Sequence, residues 1–164
     1  MARINPITGN HLTSAVTNTQ KTLAHSLPAF EVYIQLYSLF EKVKEVTGKR
    51  TAALFAWSVS KASDSALCTS FFRKIIAEGG ENPEEITLND HEKVLLDFGS
   101  ALSQHKGRIA DHIYNSLAQY HNEEEMVLLI AFAGQLIATN IFNNVVETEI
   151  DESLTQYLPA KYYV

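Results

Sequence analysis

The sequence predicts an all-α protein, a bundle of about six main helices. Three observations carry this: apolar residues recur three or four apart in segment after segment, no segment alternates as a strand would, and the breaks are short and rich in Gly, Pro or Asn. Residues 1–25 are polar and rich in Thr, Asn and Ser, and read as an arm or a weak short helix, frayed or docked on a partner subunit. Residues 26–164 form one domain, with no repeat or linker to divide them. Its first strong helix starts at Ser26 as N-cap, with Pro28 in the first turn. Phe30, Tyr33, Ile34, Tyr37, Phe40 and Val43 make one apolar stripe along it, and Gly48 ends it. A second helix, about Arg50 to Ala62, carries Leu54, Phe55, Trp57 and Val59, and the stretch Ser60 to Asp64 breaks it. The third, about Ser65 to Glu78, presents Cys68, Phe71, Phe72, Ile75 and Ile76 on one face before Gly79-Gly80. Asn89 and Glu92 stand in capping-box spacing at the head of a fourth helix that runs to Gln104, with Val94, Leu95, Phe98, Ala101 and Leu102 inward. A fifth spans about Arg108 to Tyr120. The sixth starts at Asn122 and continues to Val146. Glu123, Glu124 and Glu125 favour the positive end of its dipole, and Glu125 completes a second capping box. It is apolar on nearly every side from Met126 to Ile141, the pattern of a helix buried centrally or between subunits.

Composition narrows the function classes. A chain of 164 residues, 46% hydrophobic and 20% charged, can bury a core and is not a disordered segment. The net charge of -6 opposes phosphate backbones and anionic lipid, and Lys42, Lys44, Lys49 and Arg50 are spread around a helix end rather than gathered into a patch, so neither nucleic acid nor membrane is an expected partner. The single cysteine, Cys68, excludes an internal disulfide. The N-terminus has no signal-type apolar run, and Met126 to Ala138 is well short of the ~20 residues that span a bilayer, so the expected location is the cytoplasm. His11, His25, His91, His105, His112 and His121 show no i, i+4 pair and no H-E-x-x-H, so no metal or other cofactor is expected.

The stretch from Arg50 to Glu78 resembles the AhpD-like/carboxymuconolactone decarboxylase family. That family places a Glu on one helix and C-x-x-C-x-x-x-H at the start of the next, after a Val-Ser. In ALFAWSVSKASDSALCTSFF (Ala53 to Phe72), Val59-Ser60 matches the Val-Ser. This register puts Cys68 at the second cysteine, Ser65 at the first, Phe72 at the histidine and Ala53 at the Glu. The turn at Gly79-Gly80 and Pro83-Glu84-Glu85-Ile86, the helix from His91 to Leu102 and the helix from Glu123 to Asn144 are similar to the family's loop after the motif, its next helix and its long central helix, so the likeness covers about residues 26–146. It implies an AhpD-like fold, a homo-oligomer with the sixth helix near its interface, and thiol chemistry. In such peroxidases the second cysteine attacks the peroxide as a thiolate, the first resolves the sulfenic acid, and the Glu and His move protons. Here only the attacking position is kept. The implied activity is a one-cysteine thiol peroxidase acting through Cys68, resolved by an external thiol reductant. The alternative is a scaffold or small apolar ligand-binding oligomer that has lost the chemistry, and the decarboxylase branch is the less favoured activity.

The residues themselves pull both ways. Cys68 falls in the first turn of its helix, where the dipole lowers a thiol pKa. It also heads an apolar stripe, and no His, Lys or Arg lies one turn away on that face. A buried core or interface thiol is therefore favoured over a reactive one. Arg50, Lys61, Arg73 and Lys74 could meet an anionic substrate but read as a solvated helix face, and His112 has no evident route to Cys68. Asn140, Asn143 and Asn144 end a buried helix, where amides must find partners; a subunit interface is favoured over a pocket. The tail of Tyr157, Tyr162 and Tyr163 reads as packing on its own or a neighbouring subunit.

Overall fold

The computed structural model describes residues 2–8 and 16–160, which leaves His11, Tyr162 and Tyr163 outside the description. Among the described residues there are eight α-helices and no strand: α1 (Asn18–Leu23), α2 (Leu27–Tyr33), α3 (Gln35–Thr47), α4 (Lys49–Ala62), α5 (Ala66–Glu78), α6 (Asp90–Gln104), α7 (Asp111–Leu117) and α8 (Glu123–Val146), followed by a 3₁₀ turn, Glu152–Tyr157. The all-α bundle is as expected. Both predicted capping boxes are formed, with Asn89 accepting from Glu92 N and Asn122 from Glu125 N. Each satisfies two backbone donors that the helix itself leaves open, so these two helices start where the sequence places them.

Three expectations change. The first long helix is two: after α2 the chain takes a 3₁₀-like step at Ile34 (ψ -19°) into α3. The step leaves α2 without a buried residue, and the stripe buries only at Phe40 and Val43. The fifth helix shrinks to Asp111–Leu117, anchored by Leu117, with Tyr114 41% exposed. The sixth helix, α8, keeps its predicted bounds but is not buried all round. Met126, Leu129, Phe132, Ala133 and Leu136 face the core, while Val127, Ile130, Ile141 and Val145 are exposed. At 24 residues it is long and apolar enough by composition to cross a membrane, yet its inner face is a wall of this core.

α4 is the central helix. It packs against α3, α5, α6 and α8 and buries nine of its residues. Its Ala52, Phe55, Ala56 and Val59 join Phe40, Phe72, Leu95, Phe98 and Phe132 in the main core. Burying one such side chain fully is worth roughly 1.5–3 kcal/mol. At its N-terminal end, Arg50 pairs with Glu92, which is 2% exposed and also accepts from Thr51 Oγ1 at 3.1 Å. Burial pushes the Glu92 carboxyl up, but Arg50, Asn89 N–H and Thr51 more than offset this and hold it below its usual range.

The segment before Ser26 docks on its own chain. Asn18 N donates to Asp151 Oδ1 at 2.8 Å, Thr19 Oγ1 to Asn143 Oδ1 at 2.9 Å, and Arg3 N to Val146 O at 2.9 Å. These bonds bring the beginning and end of the described chain together over α8.

α6 lies against α4 so closely that only glycine fits at position 99. A Cβ there would stand 2.5 Å from Ser58 Oγ and 2.9 Å from Phe55 Cε2, and Phe55 is fully buried and cannot yield. Gly99→Ala is expected to cost about 1–3 kcal/mol by overpacking. Chemical denaturation would read this as a lower midpoint with an unchanged slope; an unshifted midpoint would mean that α6 can move off α4.

Candidate functional site

The site is built on the start of α5. Ser65 is the N-cap, in extended backbone at φ -96°, and Cys68 stands three residues in. That puts the thiol on the inner face, one helical turn before Phe72. Cys68 is 6% exposed, and its sulfur accepts a hydrogen bond from Asn143 Nδ2 at 3.4 Å. It opens on a mostly apolar cavity of about 50 Å³ walled by Leu36, Phe40, Leu67, Phe71, Phe132 and Leu136. Polar groups also reach the cavity: Tyr37, Thr139, Asn143, Asp151, and Thr17 and Thr19 beside α1.

Electrostatics decide the resting state of the thiol. Burial pushes the Cys68 pKa up to about 11, and the Ser65 hydroxyl and Asn143 amide offset this only in part. The helix N-terminus does not bring the thiol down, because desolvation of a buried sulfur outweighs a partial charge. The other titratable lining groups shift in the same sense. Burial pushes the Tyr37 hydroxyl up, against the nearby Thr17 hydroxyl. It pushes the Asp151 carboxyl up as well, against Asn18 N–H, Lys21 and Lys74. Near neutral pH the thiol and the phenol are both protonated.

The positions singled out in the sequence fare unequally. Cys68, Ser65 and Phe72 do gather. Phe72 lines the cavity, 5.5 Å ring to ring from Phe40, but offers no proton. Ala53 does not join them. It is about 100° around α4 from Ala52, and packs with Leu54, Ile76 and Leu96 in a separate small cluster. Of the asparagines, Asn143 lines the cavity, Asn140 is fully buried, and Asn144 reaches Ser63 O at 3.2 Å. Arg73 is not on a solvated face. It is 11% exposed, pairs with Glu84 and donates from Nε to Tyr157 O at 2.7 Å, which ties the 3₁₀ turn to α5. Lys61 stands 4.8 Å over the Trp57 ring. His112 is exposed on a surface groove with Asp97 and His105, away from Cys68. The histidines do form one pair: His91 Nε2 and His121 Nε2 are 2.8 Å apart, joining the starts of α6 and α8.

Tyr37 and Asp151 escaped sequence reasoning as site residues. Tyr37 stood in an apolar stripe, and Asp151 is one of four acids in the stretch Glu147 to Glu152, with nothing to single it out. Only the packing of α3 and the 3₁₀ turn onto α5 brings them to the thiol.

The bundle, with a thiol at the start of one core helix facing a long apolar one, shares its helical fold with solved structures. The chain is similar to two solved structures of the debrominase Bmp8. One is a Cys→Ala variant in complex with 2,3,4-tribromopyrrole, at 16% identity over 94% of each chain with a TM-score of 0.79. The other is the apo enzyme, at 18% identity over 86% of this chain and 81% of that one, with a TM-score of 0.74. No family model matches the chain, and no curated protein does. At these identities the likeness establishes the fold.

The buried thiol has a spectroscopic consequence. The thiolate absorbance near 240 nm, taken as the difference between the protein and Cys68→Ser, is expected to rise with a midpoint near pH 11. A midpoint below the free thiol's ~8.5 would mean that the dipole, not burial, governs Cys68.

Proposed function

We propose that this protein is a thiol-dependent reductase of small apolar oxidants, a one-cysteine peroxidase in which Cys68 takes the electrophilic atom. The observation that carries it is the opening of the only cysteine onto an apolar cavity that also receives an amide donor and a carboxyl. The apolar walls select small uncharged molecules such as alkyl hydroperoxides. The thiol sulfur attacks the outer oxygen; an S–O bond forms and the O–O bond breaks. The products are a Cys68 sulfenic acid and an alcohol. A low-molecular-weight thiol condenses with the sulfenic acid to give a mixed disulfide and water, and a second thiol releases Cys68. The net reaction oxidises two external thiols and reduces one hydroperoxide. The same two-electron chemistry can remove a halogen from an electron-rich ring: the carbon–halogen bond breaks, a proton takes its place on the ring, the halogen passes to sulfur, and an external thiol displaces it as halide with formation of the mixed disulfide. The likeness to a debrominase, one of whose structures is a Cys→Ala variant, supports that arm.

A second reading rests on the protonated thiol. With Ala53 and Phe72 in place of proton-moving groups, the cavity could serve only to hold a small apolar ligand. Consumption of tert-butyl hydroperoxide and debromination of 2,3,4-tribromopyrrole, each with excess small thiol, separate the two. Turnover of at least one, abolished in Cys68→Ser, is the expected result. Equal rates in Cys68→Ser, or no turnover by the protein, would leave the ligand container.

A further inference from the structure

A hydroperoxide reduction at Cys68 needs a proton carrier, and the positions where the family resemblance places a Glu and a His hold Ala53 and Phe72. A different part of the chain supplies a carboxyl to the same cavity. Asp151 is the N-cap of the 3₁₀ turn, and its backbone carbonyl accepts from Leu154 N at 2.8 Å. Its side chain makes no cap bond there. One oxygen, Oδ1, is fixed by Asn18 N at 2.8 Å. The other, Oδ2, is sealed from solvent and has no hydrogen-bond partner among the described residues. A buried carboxyl oxygen left unsatisfied costs free energy, so its retention calls for a reason. This one lines the cavity that Cys68 opens on, opposite ends of the described chain having been drawn together to hold it there.

We propose that Asp151 is the proton-transfer residue for Cys68: its carboxylate takes the thiol proton as the S–O bond forms and returns it to the departing oxygen. The inference rests on the thiol-dependent reading of the cavity. The step balances, since one proton leaves sulfur, crosses the carboxyl and ends on the alkoxide as alcohol. The surroundings suit the task. Burial raises the carboxyl's basicity, which narrows its gap to a thiol near 11. The charged and titratable groups facing Asp151 are Lys21 of α1, Lys74 of α5 and Tyr37 of α3; Tyr37 also faces Cys68, which shares the cavity with Asp151. The two lysines keep the carboxyl ionisable in spite of its burial. Tyr37, protonated, adds a second hydroxyl to the same wall.

The test uses two probes that differ in whether their leaving group needs a proton. Methyl methanethiosulfonate expels a sulfinate, a weak base that needs none. Tert-butyl hydroperoxide expels an alkoxide, which does. In single-turnover measurements on the full chain, Asp151→Asn keeps the Oδ1 acceptor for Asn18. It is expected to slow the hydroperoxide reaction by about 100-fold, at the low end of the range for general acid–base catalysis, and to slow the methanethiosulfonate reaction less, since that probe needs the thiol proton removed but none returned to its leaving group. The pH profile supplies a second readout. With the native protein the hydroperoxide rate falls as pH drops through the carboxyl pKa, because the protonated acid cannot accept; in Asp151→Asn that acid limb disappears. Slowing with the acid limb retained in Asp151→Asn would mean that Asp151 only supports the 3₁₀ turn, and an unslowed hydroperoxide reaction would place the proton elsewhere; either result overturns the inference. A native protein inert to hydroperoxide but labelled at Cys68 by the methanethiosulfonate would overturn the peroxidase reading itself.

Discussion

The buried amide of Asn143 is the constraint around which the site is arranged. An amide enclosed in a helical core must satisfy both its ends or lose roughly 1–3 kcal/mol for each group left bare. Oδ1 accepts from Thr19 Oγ1 and from Thr148 Oγ1, each at 2.9 Å, and Nδ2 donates to Cys68 Sγ. One side chain on α8 thereby holds α1, the segment after α8 and the start of α5 in mutual register. The C-terminal end of α8 contributes as well. Glu147 caps it in left-handed backbone at φ 53°, and Thr148 N returns to Asn143 O at 3.0 Å, so the chain folds back over the cavity.

From that register the rest of the site is built. With α1 fixed, Asn18 N meets Asp151; with Asp151 fixed, the 3₁₀ turn lays Leu154, 3% exposed, over the cavity; and Arg73 secures the end of that turn through Tyr157 O. The aromatic side is held by Phe40, which stacks on Phe132 at 5.6 Å and meets Phe72 edge-on. The result is a thiol in a low-dielectric chamber where each polar group is costly. Low dielectric keeps Cys68 protonated, and it also strengthens the hydrogen bonds and proton transfers made inside.

Three features make the chamber: a helix start that aims sulfur inward, an apolar wall from α8, and a turn that brings a carboxyl to the same cavity. Only the first two are local.

Helix placement was legible in the sequence because it rests on local physics. The Asn89–Glu92 and Asn122–Glu125 boxes, Gly48, and the three- and four-residue spacing act within a few residues of themselves. The positions of α4, α5, α6 and α8 result from them to within a residue or so. Cys68, Ser65 and Phe72 were legible as neighbours for the same reason, since one helix and its cap hold all three. The break at Ile34, the shortening of α7 and the exposed outer face of α8 were not, because each depends on which neighbour is there to pack against. The cavity, the raised thiol pKa and the recruitment of Tyr37 and Asp151 belong wholly to the tertiary structure. Asn143 and Cys68 are 75 residues apart, and no periodicity within a segment can report a contact whose free energy comes from burying groups of different segments together.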